Sequence, residues 1–84
     1  MHNTYIPKQY RLQIPTTLQP SFDGLNNLYV DKRNTLALKS ILKRAEQGIK
    51  EIEDVNEESI FYENNKAFIN QITDILERKD LVNP

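Results

Sequence analysis

The residues of this 84-residue chain that could act on protons, metals or phosphates are few. His2 is the one histidine, there is no cysteine, and the two glycines, Gly24 and Gly48, stand far apart. Nucleophilic catalysis needs a hydroxyl or thiol beside a base that a third group orients, and one histidine near a chain end does not supply that set. Zinc-type sites draw on several imidazole or thiolate ligands, which one histidine without a cysteine does not supply, and a phosphate-cradling loop needs clustered glycines. The densest acidic cluster is EIEDVNEE, residues 51–58, with five carboxylates and no basic residue. It lacks the alternating Asp/Asn positions, the central glycine and the terminal glutamate of a calcium loop. Glu53 and Glu57 lie four residues apart, so on a helix they form an exposed like-charge pair without a cleft. No catalytic residue, metal ligand or cofactor site is assigned, and the chain reads as not an enzyme.

A second charged set has the opposite sign. Between residues 32 and 50 stand Lys32, Arg33, Lys39, Lys43, Arg44 and Lys50, against Glu46 alone. Such a run on the outer face of a helix could contact phosphates. The formal net charge of −1 argues against binding a polyanion by bulk charge and equally against an acidic nucleic-acid mimic. No aromatic interleaves the basic residues, and Glu46–Lys50 and Asp74–Arg78 are favourable i, i+4 pairs typical of a solvated face.

These charges must be positioned by two helices. Thr35, Leu38, Leu42, Ala45, Ile49 and Ile52 follow at steps of three and four, as do Phe61, Asn65, Phe68, Ile72, Ile75 and Lys79. Both are heptad seams. Reflected about residue 55, the first falls on the second: Ile49 opposite Phe61, Ala45 opposite Asn65, Leu42 opposite Phe68, Leu38 opposite Ile72, Thr35 opposite Ile75, and beyond them Asp31 opposite Lys79. The expectation is an antiparallel helical hairpin, about 32–54 and 57–79, whose solvated tip is the acidic stretch. Asp54 or Asn56 would cap the second helix. Lys32 and Arg33 at the start of the first helix and Glu51, Glu53 and Asp54 at its end oppose the helix dipole, each at about 0.3–1 kcal/mol. Gly48 costs roughly 1 kcal/mol against alanine inside a helix and is read as permitting close approach. Asn65, midway along an apolar seam, either fixes register or oligomeric state or bonds to backbone or water.

The first 30 residues hold three of the four prolines. Pro7 and Pro15 fence KQYRLQI, where Tyr10, Leu12 and Ile14 alternate with Arg11 and Gln13 as in a strand. NLYV, 27–30, or another chain would supply its neighbour, and Asp23-Gly24 reads as a turn. The hairpin carries apolar stripes on both flanks of its seam: Ile41 and Gly48 on one, Tyr62, Ile69 and Leu76 on the other. The arm can cover one flank, and a second copy would cover the other.

The chain therefore reads as mainly α. Residues 1–30 form an extended N-terminal arm holding one short strand, and 31–84 form the hairpin, within one domain completed by dimerisation into a helical bundle. A chain this size buries only roughly 60–65% of its unfolded surface, and no disulfide assists it. No apolar run approaches the ~20 residues of a membrane span, and MHNTYIPKQY has no basic segment leading into an apolar one, so a cytoplasmic setting is expected. The function expected is a small regulatory or inhibitor-type protein–protein interaction module, of the kind phages and mobile elements encode. It would bind and block or bridge a partner protein through Tyr5, Tyr10, Tyr62, Ile69 and Leu76. The alternative is a small dimeric nucleic-acid-binding protein that uses the basic face.

Overall fold

The computed structural model describes residues 9–55 and 59–78, with side chains described over 9–53 and 63–78. In chain order come strand β1 (Gln9–Gln13), a 3-10 helix (Thr16–Phe22), strand β2 (Asn27–Asp31), helix α1 (Thr35–Val55) and helix α2 (Ser59–Leu76). β1 and β2 pair antiparallel, Tyr10 opposite Val30 and Leu12 opposite Leu28. Because side chains alternate along a strand, these four lie on one face, towards the helices. Leu12 and Val30 are buried there, while Arg11 and Tyr29 face out. NLYV thus supplies the second strand from the same chain.

Pro15 ends β1, and the excursion between the strands is compact. Leu18 N–H donates to Pro15 O at 2.9 Å, and the 3-10 helix closes on Asp23 and Gly24, both left-handed at φ 57° and 78°. Gly24 N–H donates to Gln19 O at 2.7 Å and Leu25 N–H to Phe22 O at 3.0 Å. The Asp-Gly pair reaches this conformation because glycine has no Cβ penalty there and aspartate tolerates it. Leu18 and Phe22, four apart, are thereby both driven into the core.

α1 starts three residues later than the sequence pattern suggests, for a local reason. Asp31 Oδ1 accepts from Arg33 N–H at 2.9 Å, and Asn34 Oδ1 accepts from Ala37 N–H at 3.1 Å. That second bond is an N-cap, so Lys32 and Arg33 form the turn before the helix. α2 stops at Leu76, after which Arg78 takes a left-handed φ of 62° and its N–H donates to Ile75 O at 3.1 Å.

The two helices pack as a hairpin around Leu38, Ala45, Phe68, Ile72 and Ile75, joined from the arm by Leu12, Ile14, Leu18, Phe22 and Val30. Full burial of one such leucine or isoleucine is worth about 1.5–3 kcal/mol. The layer scheme needs one correction: Thr35 is exposed, so the expected layer opposite Ile75 is not formed by it. As the first residue after the cap it lies on the rim, and the arm draws the buried face of α1 towards Ile41 and Gly48. The Asp31–Lys79 and Ile49–Phe61 pairings fall on side chains outside the described residues, as do Asp54 and Asn56.

Gly48 is where the arm meets the hairpin most closely. A Cβ there would lie 2.5 Å from Ser21 Oγ, 3.0 Å from Leu18 Cδ2 and 3.3 Å from Ser21 Cβ. Close approach is therefore what this glycine provides, and the neighbour is the 3-10 helix. Gly48→Ala gains about 1 kcal/mol in helix propensity but overpacks the contact, which costs about 1–3 kcal/mol. The expected net result is a loss of about 1 kcal/mol in urea unfolding, recovered in part by Ser21→Gly in the same chain. A stabilised Gly48→Ala would mean that α1 does not touch the 3-10 helix.

Candidate functional site

Of the residues expected at a partner surface, Tyr5 lies outside the described residues, and Tyr62 sits in α2 with its side chain outside them. Tyr10 is half-buried and committed internally. Lys32 Nζ stands 4.4 Å from its ring centroid, and its hydroxyl accepts from Gln71 Nε2 at 2.6 Å. That bond ties β1 to α2, as the bond from Arg78 Nη1 to Lys32 O, 3.3 Å, ties the end of α2 to the turn before α1. Ile69 and Leu76 are half-buried and pack at the edge of the core, as do Leu42 and Ile49. The arm covers the opposite flank, where Ile41 and Gly48 lie, in line with the sequence pattern.

The six basic residues do not form one ridge. Lys39, Lys43 and Lys50, spaced by four and seven, share an exposed stripe of α1. Arg44 lies towards the arm with its guanidinium carbon 5.8 Å from the Phe22 ring centroid, and Lys32 sits over Tyr10. Arg33 is exposed in the turn before the helix. At the acidic end, Glu51 accepts from Gln47 Nε2 at 3.3 Å and Glu53 is exposed; the rest of that stretch falls outside the described side chains. Among the described residues no group of three or more acidic or histidine side chains could hold a metal ion, and no helix is long and apolar enough to cross a membrane.

Asn65 is 1% exposed, and its Oδ1 accepts from Thr17 Oγ1 at 2.7 Å. Its partner is thus a side chain of the 3-10 helix, 48 residues away in sequence. The polar position in the seam fixes where the arm sits on the hairpin.

Among the concave surfaces of the described residues, two that the sequence pattern left unassigned bear on binding. The first, of about 260 Å³, runs between β2 and α1. Phe22, Leu28 and Ile41 line it, with Leu25 and Tyr29 exposed to 47% and 63% at its margin and Arg44 beside them. Alternation in NLYVD holds a signal for Tyr29: once Leu28 and Val30 face inward, it must face out. Leu36, in the first turn of α1, is 80% exposed. The second concavity, about 770 Å³, lies between the end of β1, the 3-10 helix and α2, and is lined largely by carboxamides. The chain matches no protein-family model, no curated protein and no solved structure.

Proposed function

We propose that the chain is a small noncatalytic protein–protein interaction module that binds, and so blocks or bridges, a partner protein. The observation that carries this reading is the apolar groove between β2 and α1, where Leu25 and Tyr29 stand exposed beside Phe22, Leu28 and Ile41. A tyrosine left in water at the mouth of an apolar groove is the kind of anchor that interface hot spots use, since it buries a large area, and Leu25 adds apolar surface beside it. The partner we infer presents an apolar anchor for the groove and a carboxylate near Arg44.

The test is capture from native-host lysate by the tagged chain, with and without nuclease, alongside Leu25→Asp and Tyr29→Ala. A stoichiometric protein that survives nuclease and is lost with both variants supports the reading. Equal capture by the wild type and both variants removes the groove from it. Tyr29→Ala alone is expected to weaken the complex at least about tenfold, or 1.4 kcal/mol.

Self-association into a homodimer belongs to the same proposal and would use the Ile69–Leu76 flank. Ile69→Asp is then expected to convert a dimeric mass to a monomeric one in sedimentation, and a monomeric wild type ends that part. The second reading, nucleic-acid binding, is favoured by the exposed Lys39–Lys43–Lys50 stripe. It requires that Lys43→Glu abolish a salt-sensitive complex with duplex DNA.

A further inference from the structure

The second concavity differs from the rest of the surface in its chemistry. In a chain where 27% of residues are charged, Arg11 is the single ionisable residue lining it. Six carboxamides surround it instead: Gln13, Gln19, Asn26, Asn27, Asn64 and Gln71. Gln19 and Gln71 each spend their Nε2 internally, on Ile14 O at 3.1 Å and on the Tyr10 hydroxyl. The side chains of Gln13, Asn26, Asn27 and Asn64 carry no such bond among the described residues. Depletion of charged side chains is what sets the centre of an interface apart from a solvated face, and here neutral hydrogen-bonding groups stand in their place.

The concavity also borders an open strand edge. Ile14 N–H donates to Asn26 O at 2.8 Å, and with the antiparallel register this makes Leu12–Leu28 and Tyr10–Val30 the hydrogen-bonded pairs. The main-chain N–H and C=O groups of Gln9, Arg11 and Gln13 then point away from β2. Among the described residues β1 has no strand on that side, and unpaired edge groups are a template for a further strand.

We propose that this cleft binds an extended polypeptide segment carrying an acidic residue, which adds to β1 as a third strand. This rests on the reading of the chain as a protein-binding module and names a recognition mode and a second contact for it. The carboxamide chemistry selects the ligand class. Asn and Gln side chains present the same donor and acceptor as a peptide group, so they pair with a backbone that passes over them. Strand addition supplies main-chain bonds, and pockets for alternate side chains supply specificity. One side of the incoming strand faces Arg11 and takes the carboxylate; the other faces Ala67 on α2 and takes a small side chain. A nucleic acid fits poorly, because it needs several cations and an exposed aromatic face, whereas the cleft offers one arginine and Phe68 is 3% exposed.

The probe is a displayed library of random dodecapeptides panned on the full chain, with the best binder synthesised and mapped by amide chemical shifts. Expected are an acidic residue in the selected peptides, shifts centred on Gln13, Asn64 and Gln71, and at least a tenfold rise in Kd with the exposed-site variants Arg11→Glu and Asn64→Asp. N-methylation of alternate peptide residues should abolish binding in one phase of the alternation and spare it in the other. Binding indifferent to both phases overturns the strand mode, and failure to enrich any peptide overturns the site. Shifts centred instead on Leu25 and Ile41 overturn this proposal while leaving the groove between β2 and α1 standing as the contact surface.

Discussion

Replacing Phe68 with alanine is expected to remove about 3–5 kcal/mol of folding stability. At roughly 0.05–0.15 kcal/mol per residue a chain of this length holds only about 4–13 kcal/mol, so the variant sits at or near the edge of folding. The magnitude follows from position. Phe68 is 3% exposed, and its ring meets that of Phe22 edge-to-face, centroids 6.2 Å apart at 81°. It thus closes the junction between α2 and the 3-10 helix. Truncation loses the area term, opens a cavity that the proline-stiffened 3-10 helix is slow to fill, and breaks an aromatic pair worth about 0.5–1.5 kcal/mol. Urea unfolding at constant protein concentration measures it. Phe68→Leu, which keeps most of the volume, should cost far less than the alanine. A loss below about 1 kcal/mol for Phe68→Ala would mean that the arm does not pack on the hairpin as described.

That junction also shows how far the sequence could be read. The hairpin was legible because its period is local: Leu38, Ala45, Phe68, Ile72 and Ile75 repeat at helical spacing, and each is buried. β1 was legible from alternation fenced by prolines, whereas NLYV was one of two candidates for its neighbour, the other being a second chain. The 3-10 helix was not, since PTTLQPSF has no helical or strand period, and two prolines in eight residues look like irregular chain. Its two inward residues are in the core only because Gly48 leaves room for it to lie against α1. The helix starts shifted because a cap is a hydrogen bond from one side chain, Asn34, which overrides a periodicity that continues through Lys32. Of the candidate surface, Tyr29 follows from strand parity, whereas the two concavities depend on which elements become neighbours in space, and no spacing along the chain carries that. Tyr10 illustrates the converse. An aromatic in an arm reads as an exposed contact, yet Gln71, 61 residues away, holds its hydroxyl and Lys32 covers its ring.

Asn65→Asp is expected to be nearly as damaging as Phe68→Ala at neutral pH, and nearly harmless in acid. The substitution keeps the shape of the side chain, so packing is not the variable. Asn65 is 1% exposed and the hydroxyl of Thr17 is the one hydrogen-bond partner of its side chain among the described residues. One neutral donor cannot replace the hydration of a carboxylate, so the introduced acid stays protonated in the folded chain while ionising freely in the unfolded one. Its folded-state pKa is therefore raised above the unfolded value of about 3.9. The fold thus suffers nothing below that pH and loses stability as pH rises, at about 1.36 kcal/mol per unit. By pH 7 the loss approaches about 4 kcal/mol. The measurement is the difference in unfolding free energy between variant and wild type at pH 4 and pH 7, which cancels the pH dependence of the other carboxylates. Two further variants separate the charge from the hydrogen bond. Thr17→Val leaves the Asn65 carbonyl buried without a donor and should cost about 1–3 kcal/mol at either pH, whereas Thr17→Val with Asn65→Leu replaces both partners by apolar groups and should recover most of that loss. A difference that does not change between pH 4 and pH 7 would place residue 65 in water, and the polar contact that seats the arm on the hairpin would go with it.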